Sequence, residues 1–352
     1  LRSAVRNRIC RNGRRSGNLV KTAIITGVTG QDGSYLSDFL IDKGYKVVGT
    51  YRRTVSDFEN KTQNISHLLN NGNFILEEAD VTDSSSLYRL VSEYQPDEYY
   101  NLAAQSHVGT SFKTPVSTTE INLMGCLYAL EAIRLQKPSC KFYQASTSEM
   151  FGDNAQCPQG LGTQFSPVSP YACAKLAAHH MVGTYRKSYG IFACSGVLFN
   201  HESPRRGENF VTRKITKAAS RIKLGLQDEL RLGNLSAQRD WGHAADYVKG
   251  MWMMLQHDVA DDYVLATGKT NSVEEFLEYV FEYAGLDIKE HVVIDPKFYR
   301  PCEVPKLWGD PSKIMKTLGW IPEYDFEELA MEMYDSDLKK QFSLNKISPS
   351  NV

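Results

Sequence analysis

Short segments of strand character alternate with longer helical segments from Lys21 to about residue 200. The first apolar segment, 22–26, is followed by residues 34–43, whose apolar side chains recur at helical spacing until Gly44. This alternation predicts right-handed βαβ crossovers, and therefore a mostly parallel sheet with helices on both faces. We expect an α/β fold with a doubly wound, Rossmann-type sheet. Further strands are expected at 46–50, 74–76, 98–102, 141–145 and 192–198, and further helices at 84–94 (capped by Asp83), at 118–136 and after Pro170.

The alternation breaks after about residue 200, where loops rich in Arg, Gly and Pro separate further helices. One of these helices, 272–284, opens with Ser272 and Glu275 in capping-box spacing and ends at Gly285. The expected division is a Rossmann domain over 21–200, a smaller C-terminal substrate-binding lobe over 201–345, and a return of the chain to the first domain near 240–267.

The first 20 residues differ in composition from the rest of the chain. They hold six arginines and no Asp or Glu, although the net charge of the whole chain is −1. An Arg-rich, acid-free leader is compatible with an organellar transit peptide. Because the segment has no amphipathic pattern, we favour an artificial or read-through extension and leave residues 1–20 out of the fold prediction.

Overall composition excludes several classes of protein. A net charge of −1 and a pI of about 6.8 do not indicate a partner held by bulk charge, so neither nucleic acid nor a membrane is expected. No run of 18 apolar residues occurs. The seven cysteines form no C-x-x-C pair, and several, such as Cys126 and Cys194, sit in apolar segments. We therefore expect buried free thiols, no metal site and a cytoplasmic location.

A glycine-rich turn joins the first strand to the first helix. Gly27, Gly30 and Gly33 stand at G-x-x-G-x-x-G spacing, the variant that short-chain dehydrogenase/reductases use. Such glycines permit a tight turn, let backbone N–H groups approach a pyrophosphate, and let helix and strand pack closely. An ordinary tight turn would also explain one glycine motif. Its place at the start of βαβ units favours dinucleotide binding.

The end of the second strand discriminates between two dinucleotides. An NAD site usually has an acidic residue there for the ribose hydroxyl, whereas this chain has Arg52 and Arg53, and the first acidic residue is Asp57. Two guanidinium groups suit a 2′-phosphate through forked hydrogen bonds. A pair of solvated arginines is the alternative interpretation, but we predict NADP.

A candidate catalytic group follows the fifth strand. Tyr171 and Lys175 stand at i, i+4 at a helix start, so they share a face. A nearby ammonium is expected to lower the pKa of the tyrosine toward that of a general base. Thr147 and Glu149 leave the carboxyl end of the strand, where ligands bind in open α/β sheets. Glu149 supplies a carboxyl group that simple hydride transfer does not need, although it could be a loop residue or a helix cap.

The sequence resembles the GDP-mannose 4,6-dehydratases, which are extended short-chain dehydrogenase/reductases, from about Lys21 to Asp335. The matching segments are TGVTGQDGSYL, NLAAQSHV, FYQASTSEMFG, SPYACAK, LFNHESPRRGENFVTRKI, RDWGHAADYV and RPCEV. The resemblance implies transient oxidation of GDP-mannose at C4 with the help of Tyr171 and Lys175. Glu149 would then remove the C5 proton, water would leave C6, and bound NADP would return its hydride to C6. The implied product is GDP-4-dehydro-6-deoxy-D-mannose.

The resemblance also implies roles for further residues. The implied catalytic residues are Thr147, Glu149, Tyr171 and Lys175. The implied cofactor contacts are Gly27, Thr29, Gly30, Gln31, Asp32, Gly33, Arg52, Arg53, Asp80, Val81, Leu102, Ala103, Ala104, Gln105, Ser106, Lys175, His201 and Arg206. The implied substrate contacts are Ser106, Ser148, Asn200, Arg213, Lys214, Arg239, Arg300 and Glu303.

Three positions depart from the family pattern: Ser117 replaces a tyrosine, and Ser236 and Pro305 replace acidic residues. A nucleotide-sugar 4-epimerase is the nearest alternative function, and it needs no elimination acid such as Glu149. An NADP-sensing regulator, or an enzyme that also reduces its 4-keto product, would be further alternatives. The family commonly assembles, so we expect a homodimer or homotetramer.

Overall fold

The structure is a computed structural model that describes residues 20–53, 58–299 and 302–346. Residues 1–19 of the Arg-rich leader, and the predicted substrate contact Arg300, lie outside the described residues. Along the described parts of the chain, no helix is both long and apolar enough to cross a membrane.

The described chain forms fourteen strands, seven of which make one parallel sheet. The strands are β1 (Thr22–Thr26), β2 (Lys46–Tyr51), β3 (Phe74–Glu78), β4 (Glu98–Asn101), β5 (Lys141–Thr147), β6 (Ala193–Leu198), β7 (Asn200–Glu202), β8 (Leu230–Leu232), β9 (Gln238–Arg239), β10 (Trp241–His243), β11 (Tyr263–Leu265), β12 (Asn271–Ser272), β13 (Val292–Ile294) and β14 (Lys306–Leu307). The large sheet has the order β11-β6-β5-β4-β1-β2-β3, with every neighbouring pair parallel. The predicted doubly wound α/β fold is thus confirmed, and the strand order reverses between β1 and β4, where such sheets open a ligand cleft.

Thirteen α-helices connect or cover these strands in the described ranges. They are α1 (Gln31–Asp42), α2 (Phe58–Thr62), α3 (Ser84–Tyr94), α4 (Val108–Lys113), α5 (Pro115–Thr119), α6 (Gly125–Gln136), α7 (Pro170–Tyr189), α8 (Val211–Lys223), α9 (Ala244–Gln256), α10 (Val273–Ala284), α11 (Ile288–His291), α12 (Ser312–Leu318) and α13 (Phe326–Asn345). Local signals located several ends correctly: Asp83 caps α3, and Ser272 and Glu275 form the predicted capping box of α10. The smaller sheets pair β10 with β7, β13 with β8, and β9 with β12 and β14.

The long helix predicted over 118–136 is present, but it is not a uniform α-helix. The structure has α5, then one π-helical turn over 120–124, then α6. The π turn carries Asn122, whose buried side chain pairs with the backbone of Gln105. These tertiary hydrogen bonds are absent from any local pattern, which is why the sequence predicted a regular helix.

Both faces of the large sheet are covered by helices. Neighbouring residues of β1 point to opposite faces because a strand alternates its side chains. Ile25 belongs to a core that includes Leu36 of α1 and Met251 of α9. Ile24 belongs to the opposite core, with Leu130 of α6. The carboxyl ends of the strands therefore stand on a rigid layer.

The later part of the chain builds a second core and also adds to the sheet. Helices α8, α10 and α13 pack together around residues such as Ile215, Phe276 and Leu329. Helix α9 packs against α1, and β11 pairs with β6 at the sheet edge. The division into a cofactor domain and a substrate lobe stays a prediction.

Candidate functional site

A cavity of about 980 Å³ lies at the carboxyl ends of the sheet strands and extends to residues of the later part of the chain. The predicted site residues that line it are Gly27, Thr29, Gly30, Gln31, Asp32, Gly33, Leu102, Ala103, Ala104, Ser106, Thr147, Ser148, Glu149, Tyr171, Lys175, Asn200, His201, Arg206, Lys214, Arg239 and Glu303. The predicted residues outside this lining are Arg52, Arg53, Asp80, Val81, Gln105 and Arg213. Over the ranges that the structure describes, no group of three or more His, Cys, Asp or Glu side chains is placed to hold a metal ion.

The glycine turn is shaped by close backbone approach. Gly27 has a φ of +71°, and a Cβ there would lie 2.8 Å from the Cα of Ala103. A Cβ on Gly33 would lie 2.6 Å from the carbonyl oxygen of Gly27 and from the Cα of Val28. Side chains at either position would collide with backbone, so the turn needs glycine for geometric reasons.

The same turn presents the start of α1 to the cavity. Gly30 is the N-cap residue and contributes no side-chain hydrogen bond to the first turn of the helix. The first N–H groups of a helix lack partners within the helix, and its dipole favours an anion there. A helix start behind a glycine cradle fits the pyrophosphate of a dinucleotide.

A buried polar chain that the sequence analysis missed fixes the loop beside this cradle. The Thr26 hydroxyl accepts hydrogen bonds from the backbone N–H groups of Leu102 (3.1 Å) and Ala103 (3.2 Å). It donates to Asn101 Oδ1 at 3.0 Å, and Asn101 Nδ2 donates to Gln144 Oε1 at 2.8 Å. The ends of β1 and β4 are thereby tied to each other and to the middle of β5. The available signal was a polar residue at the end of each of the first two of these strands and another within β5.

Gln105 does not line the cavity and instead anchors its loop to the helices beneath it. Its backbone N–H donates to Asn122 Oδ1 at 2.9 Å, and its carbonyl oxygen accepts from Asn122 Nδ2 at 3.0 Å. Its side chain donates to Thr118 Oγ1 at 3.1 Å. The predicted cofactor contact at Gln105 thus has a structural role in holding residues 102–106 in place.

The two arginines after β2 face solvent. Arg53 is 74% exposed, and its Nη1 lies 3.5 Å from Glu78 Oε2 at the end of β3. Arg52 is also exposed. Both follow the end of β2, and neither lines the cavity. At this place they would be available to the adenosine end of a dinucleotide.

Asp80 and Val81 follow β3 and have local partners. Asp80 Oδ1 accepts from the backbone N–H (2.9 Å) and the hydroxyl (2.8 Å) of Thr82. Val81 is buried and belongs to the core on the α6 side of the sheet. Their predicted adenine contact stays a prediction.

The predicted catalytic pair lies on one face of α7, with both side chains buried. The Tyr171 hydroxyl is hydrogen-bonded with Thr147, and Lys175 Nζ donates to the carbonyl oxygen of Ala145 at 2.9 Å. Burial lowers the pKa of Lys175 to about 8. Burial raises the pKa of Tyr171 to about 12, the bond with Thr147 opposes the rise, and the charge of Glu149 adds to it.

The expected lowering of the tyrosine pKa is therefore wrong for this structure. The sequence analysis considered only the attraction of a nearby ammonium for the phenolate. Removal of the phenol from water is the larger effect, because a buried phenolate loses its hydration.

A tight turn holds Glu149 at the carboxyl end of β5. A 3₁₀ turn over Ser148–Phe151 follows the strand, and Thr147 Oγ1 accepts from the Glu149 N–H at 3.3 Å. Glu149 is 9% exposed and Ser148 2%. The structure thus brings the carboxyl group of Glu149 and the hydroxyl of Tyr171 to one cavity wall, as the sequence predicted.

A partly buried ion pair joins the glycine turn to β7. His201 Nδ1 donates to the carbonyl oxygen of Phe199 at 2.8 Å, and its Nε2 lies 2.9 Å from Asp32 Oδ2. Both ring nitrogens face acceptors, so the imidazolium is the form that satisfies both contacts. Burial alone would raise the pKa of Asp32, but the charge and hydrogen bond of His201 hold it at about 2. Burial likewise opposes protonation of His201, yet Asp32 raises its pKa above the usual value.

Two arginines that follow β7, Arg206 in the loop and Arg213 on α8, have different environments. Arg206 lines the cavity, with its Nε 2.9 Å from Glu202 Oε2. Arg213 is 3% exposed and makes a bidentate pair with Asp337. Its Nη1 also donates to the carbonyl oxygens of Pro204 (2.6 Å) and Arg206 (2.8 Å). The predicted substrate contact at Arg213 is not supported, since its guanidinium is committed to holding this loop.

The far wall of the cavity carries cations suited to phosphates. Arg239 is 6% exposed, and its Nη2 donates to Glu303 Oε1 at 3.1 Å. Lys214 Nζ donates to the carbonyl oxygen of Arg231 and lies 3.7 Å from the ring centroid of Phe298. Phe298 also lines the cavity and was missed, because an aromatic residue in a loop carries no spacing signal.

The three departures from the family pattern lie away from the cavity lining. Ser117 is exposed on α5. The Ser236 hydroxyl donates to Asn234 Oδ1 at 2.8 Å, and the Pro305 carbonyl oxygen accepts from the Gln238 N–H at 2.9 Å. The backbone around the cavity is therefore held without the side chains usual at these positions.

Comparison with known proteins adds a family and a set of relatives. The family described as "GDP-mannose 4,6 dehydratase" matches residues 24–333. Among curated proteins, GDP-mannose 4,6 dehydratase 2 of Arabidopsis thaliana is 53% identical over 329 residues, covering 91% of this chain and 87% of the relative.

Solved structures match the fold across most of the chain. UDP-glucose 4-epimerase of Thermus thermophilus, in complex with NAD, has a TM-score of 0.77 at 25% identity and covers 90% of this chain and 98% of its own. RMD from Pseudomonas aeruginosa, complexed with NADPH, has a TM-score of 0.74 at 23% identity and covers 91% of this chain and 98% of its own.

Proposed function

Because this chain belongs to the GDP-mannose 4,6-dehydratase family, we propose that its cavity converts GDP-mannose into GDP-4-dehydro-6-deoxy-D-mannose. The reaction is a dehydration with no net oxidation, and it is the first step toward GDP-deoxyhexoses such as GDP-fucose or GDP-rhamnose. The observation that carries the proposal is the placing of Glu149 and Tyr171 on one wall of one cavity, near enough for the charge of Glu149 to raise the pKa of Tyr171.

The cofactor is a nicotinamide dinucleotide, and the glycine cradle, the start of α1 and the loop 102–106 would hold it. When bound, this group supplies a hydride acceptor and donor and, in its oxidised form, a positive charge in the site. The fit is supported by Gly27 and Gly33, where a Cβ would overlap backbone.

NADP rather than NAD is the finer part of the proposal. It is supported by Arg52 and Arg53, which are exposed at the end of β2, and by the absence of an acidic residue in β2 itself. A 2′-phosphate would have to compete with Glu78 for Arg53, so a substitution of Arg52 is the sharper test of this contact.

The catalytic residues divide the work between a tyrosine and a carboxylate. We propose that Tyr171 and Thr147 bind the C4 hydroxyl of the sugar, and that its proton leaves through Tyr171 as C4 becomes a ketone. Lys175, with a pKa of about 8, is a cation at neutral pH and favours the phenolate that this transfer requires. Glu149 then takes the C5 proton, which the ketone has acidified, and gives a proton to the C6 hydroxyl group, which leaves as water.

Substrate binding is proposed for the cationic wall. Arg239 and Lys214 would hold the diphosphate, and Glu303, which fixes the Arg239 fork at 3.1 Å, would contact the ribose. Asn200, Ser106 and Ser148 line the same cavity, nearer the catalytic group. Arg300 keeps its proposed substrate contact, although it lies outside the described residues.

The decisive experiment is incubation of the purified protein with GDP-mannose and no added cofactor, followed by mass spectrometry of the nucleotide sugar. A product lighter by one water supports the dehydratase, whereas an unchanged mass refutes it and leaves the 4-epimerase. Glu149→Gln should still oxidise C4 and accumulate reduced-nicotinamide absorbance, while turnover falls about 10²- to 10⁴-fold. Tyr171→Phe should give no such absorbance, because it stops one step earlier.

We also propose a homodimer or homotetramer and a cytoplasmic location. Val116 and Leu135, 71% and 52% exposed on either side of the π turn, support an oligomer interface there. Light scattering should give a mass well above the 39.7 kDa of one chain. The buried free thiols of Cys126, Cys140 and Cys194 suit a reducing compartment.

A further inference from the structure

His179 lies on α7, on the carboxyl-terminal side of the catalytic pair. It stands one helical turn beyond Lys175 and two beyond Tyr171, so the three side chains share the face that packs on β5. Its Nδ1 lies 3.1 Å from the hydroxyl oxygen of Ser146, and the two residues are 8% and 3% exposed. The proposed chemistry makes no use of either residue.

The contact completes a series of three between α7 and the end of β5. Lys175 binds the carbonyl oxygen of Ala145, Tyr171 is hydrogen-bonded with Thr147, and His179 binds the residue between them. The turn that carries Glu149 begins immediately after these strand residues. The location of the carboxyl group relative to α7 therefore depends on how firmly this strand end is held.

His179 also contacts the far end of the same turn through an aromatic ring. Its imidazole meets Phe165 edge to face, with ring centroids 5.5 Å apart. Phe165 packs on Phe151, the last residue of the turn, with centroids 5.1 Å apart. Ser166, which follows Phe165 in the chain, donates its N–H to the carbonyl oxygen of Met150 at 3.0 Å. The turn is thus braced at its start by a hydrogen bond and at its end by packed rings.

We propose that His179 is a positioning residue for the elimination step. It holds the turn over Ser148–Phe151, and with it the carboxyl group of Glu149, at a fixed place relative to Tyr171. The inference rests on the proposed role of Glu149. A residue that only packed the core would stabilise the fold without separating the two chemical steps, since oxidation depends on Tyr171, which α7 carries itself, and on Thr147, which has its own contact with Tyr171.

Four variants separate positioning from packing. Ser146→Ala removes the hydrogen bond with the least change in volume. His179→Leu removes both bonding and the aromatic contact, while His179→Asn keeps a polar atom near the position of Nδ1. His257→Leu alters a histidine that follows α9 and whose Nδ1 contacts the backbone of Val259, and it is the matched control.

In a single turnover, the absorbance of the reduced nicotinamide rises as the sugar is oxidised at C4. It then decays as the later steps return the hydride, so the two rates can be measured separately. For Ser146→Ala and His179→Leu we expect a normal rise and a decay slowed about three- to tenfold, the range of one net hydrogen bond. The KM for GDP-mannose should be unchanged in these variants. His179→Asn should recover most of the decay rate that His179→Leu loses. The double variant of Ser146→Ala with His179→Leu should decay no more slowly than His179→Leu alone. His257→Leu should behave as the unaltered chain.

Hydrogen exchange without substrate gives a readout that is independent of catalysis. Peptides covering 146–152 should exchange faster in Ser146→Ala and His179→Leu, because the turn loses its support, but not in His257→Leu. Equal slowing of rise and decay, or a lower melting temperature with unchanged decay and exchange, would overturn the proposal. If His179→Leu does not fold, Ser146→Ala alone decides between these outcomes.

The proposed function can fail separately. If the unaltered chain does not dehydrate GDP-mannose, or if Glu149→Gln dehydrates it normally, the function or the role of Glu149 is wrong. The positioning role of His179 is refuted on its own where the unaltered chain dehydrates GDP-mannose, Glu149→Gln does not, and the Ser146 and His179 variants leave the decay unchanged.

Discussion

Replacement of Asp32 by Asn should destabilise the protein in a manner that depends on pH. Asp32 is the carboxylate partner of His201, and the second ring nitrogen of His201 is committed to the carbonyl oxygen of Phe199. An amide removes the negative charge while keeping the shape of the side chain. The imidazolium would then be buried beside neutral acceptors alone.

The magnitude follows from the pKa of the carboxyl group. His201 holds the pKa of Asp32 at about 2, against an ordinary value of 3.8, and the side chains are only 21% and 10% exposed. A pKa difference of that size corresponds to about 2 kcal/mol of folding free energy. Because the folded pKa of Asp32 is depressed, this contribution is present above pH 3.8 and is lost as the pH falls toward 2. The pKa of His201 is raised, so its contribution is complete below pH 6.5 and is lost as the pH rises through the raised value.

Urea unfolding at pH 5.5 and at pH 9 would measure the effect. Asp32→Asn should lower the free energy of unfolding by about 2 kcal/mol at the lower pH, and by less as the pH rises through the raised pKa of His201, because the neutral ring no longer pairs its charge with Asp32. His67→Gln is a suitable control, since His67 pairs with Asp38 at 2.7 Å but is 49% exposed and should contribute less than about 1 kcal/mol. An equal loss at both pH values, or a loss no larger than that of the control, would refute the argument.

Three further predictions test other parts of the site. Arg52→Ala should weaken NADP binding about ten- to a hundredfold more than NAD binding in a fluorescence titration, and equal weakening would show that the arginine does not read the 2′-phosphate. Asp337→Asn should cost about 3–5 kcal/mol in urea unfolding because it leaves Arg213 buried without its carboxylate; a loss below about 1 kcal/mol would contradict a buried pair. Gly33→Ala should abolish nicotinamide retention during purification, since its Cβ would lie 2.6 Å from backbone, whereas Gly72→Ala, with nothing within 4 Å, should retain it.

Features that depend on neighbouring residues could be predicted from the sequence. The alternation of segments predicted the parallel sheet, and cap spacing predicted the ends of α3 and α10. The glycine spacing predicted the cradle, because a turn between a strand and a helix leaves few backbone solutions. The i, i+4 spacing placed Tyr171 and Lys175 on one face, and strand topology placed Glu149 beside them. Each of these inferences uses a period or a chain connection that local geometry enforces.

Features that depend on distant partners required the tertiary structure. Arg213 and Lys214 are adjacent, yet only Lys214 lines the cavity, since Arg213 is paired with Asp337, 124 residues further along the chain. The pKa of Tyr171 rises instead of falling because desolvation is a property of everything packed around the phenol. The π turn at 120–124 carries Asn122, which binds the backbone of Gln105 seventeen residues earlier in the chain. Charge pairing, desolvation and long-range hydrogen bonds are set by which segments meet in space, and sequence spacing does not encode that information.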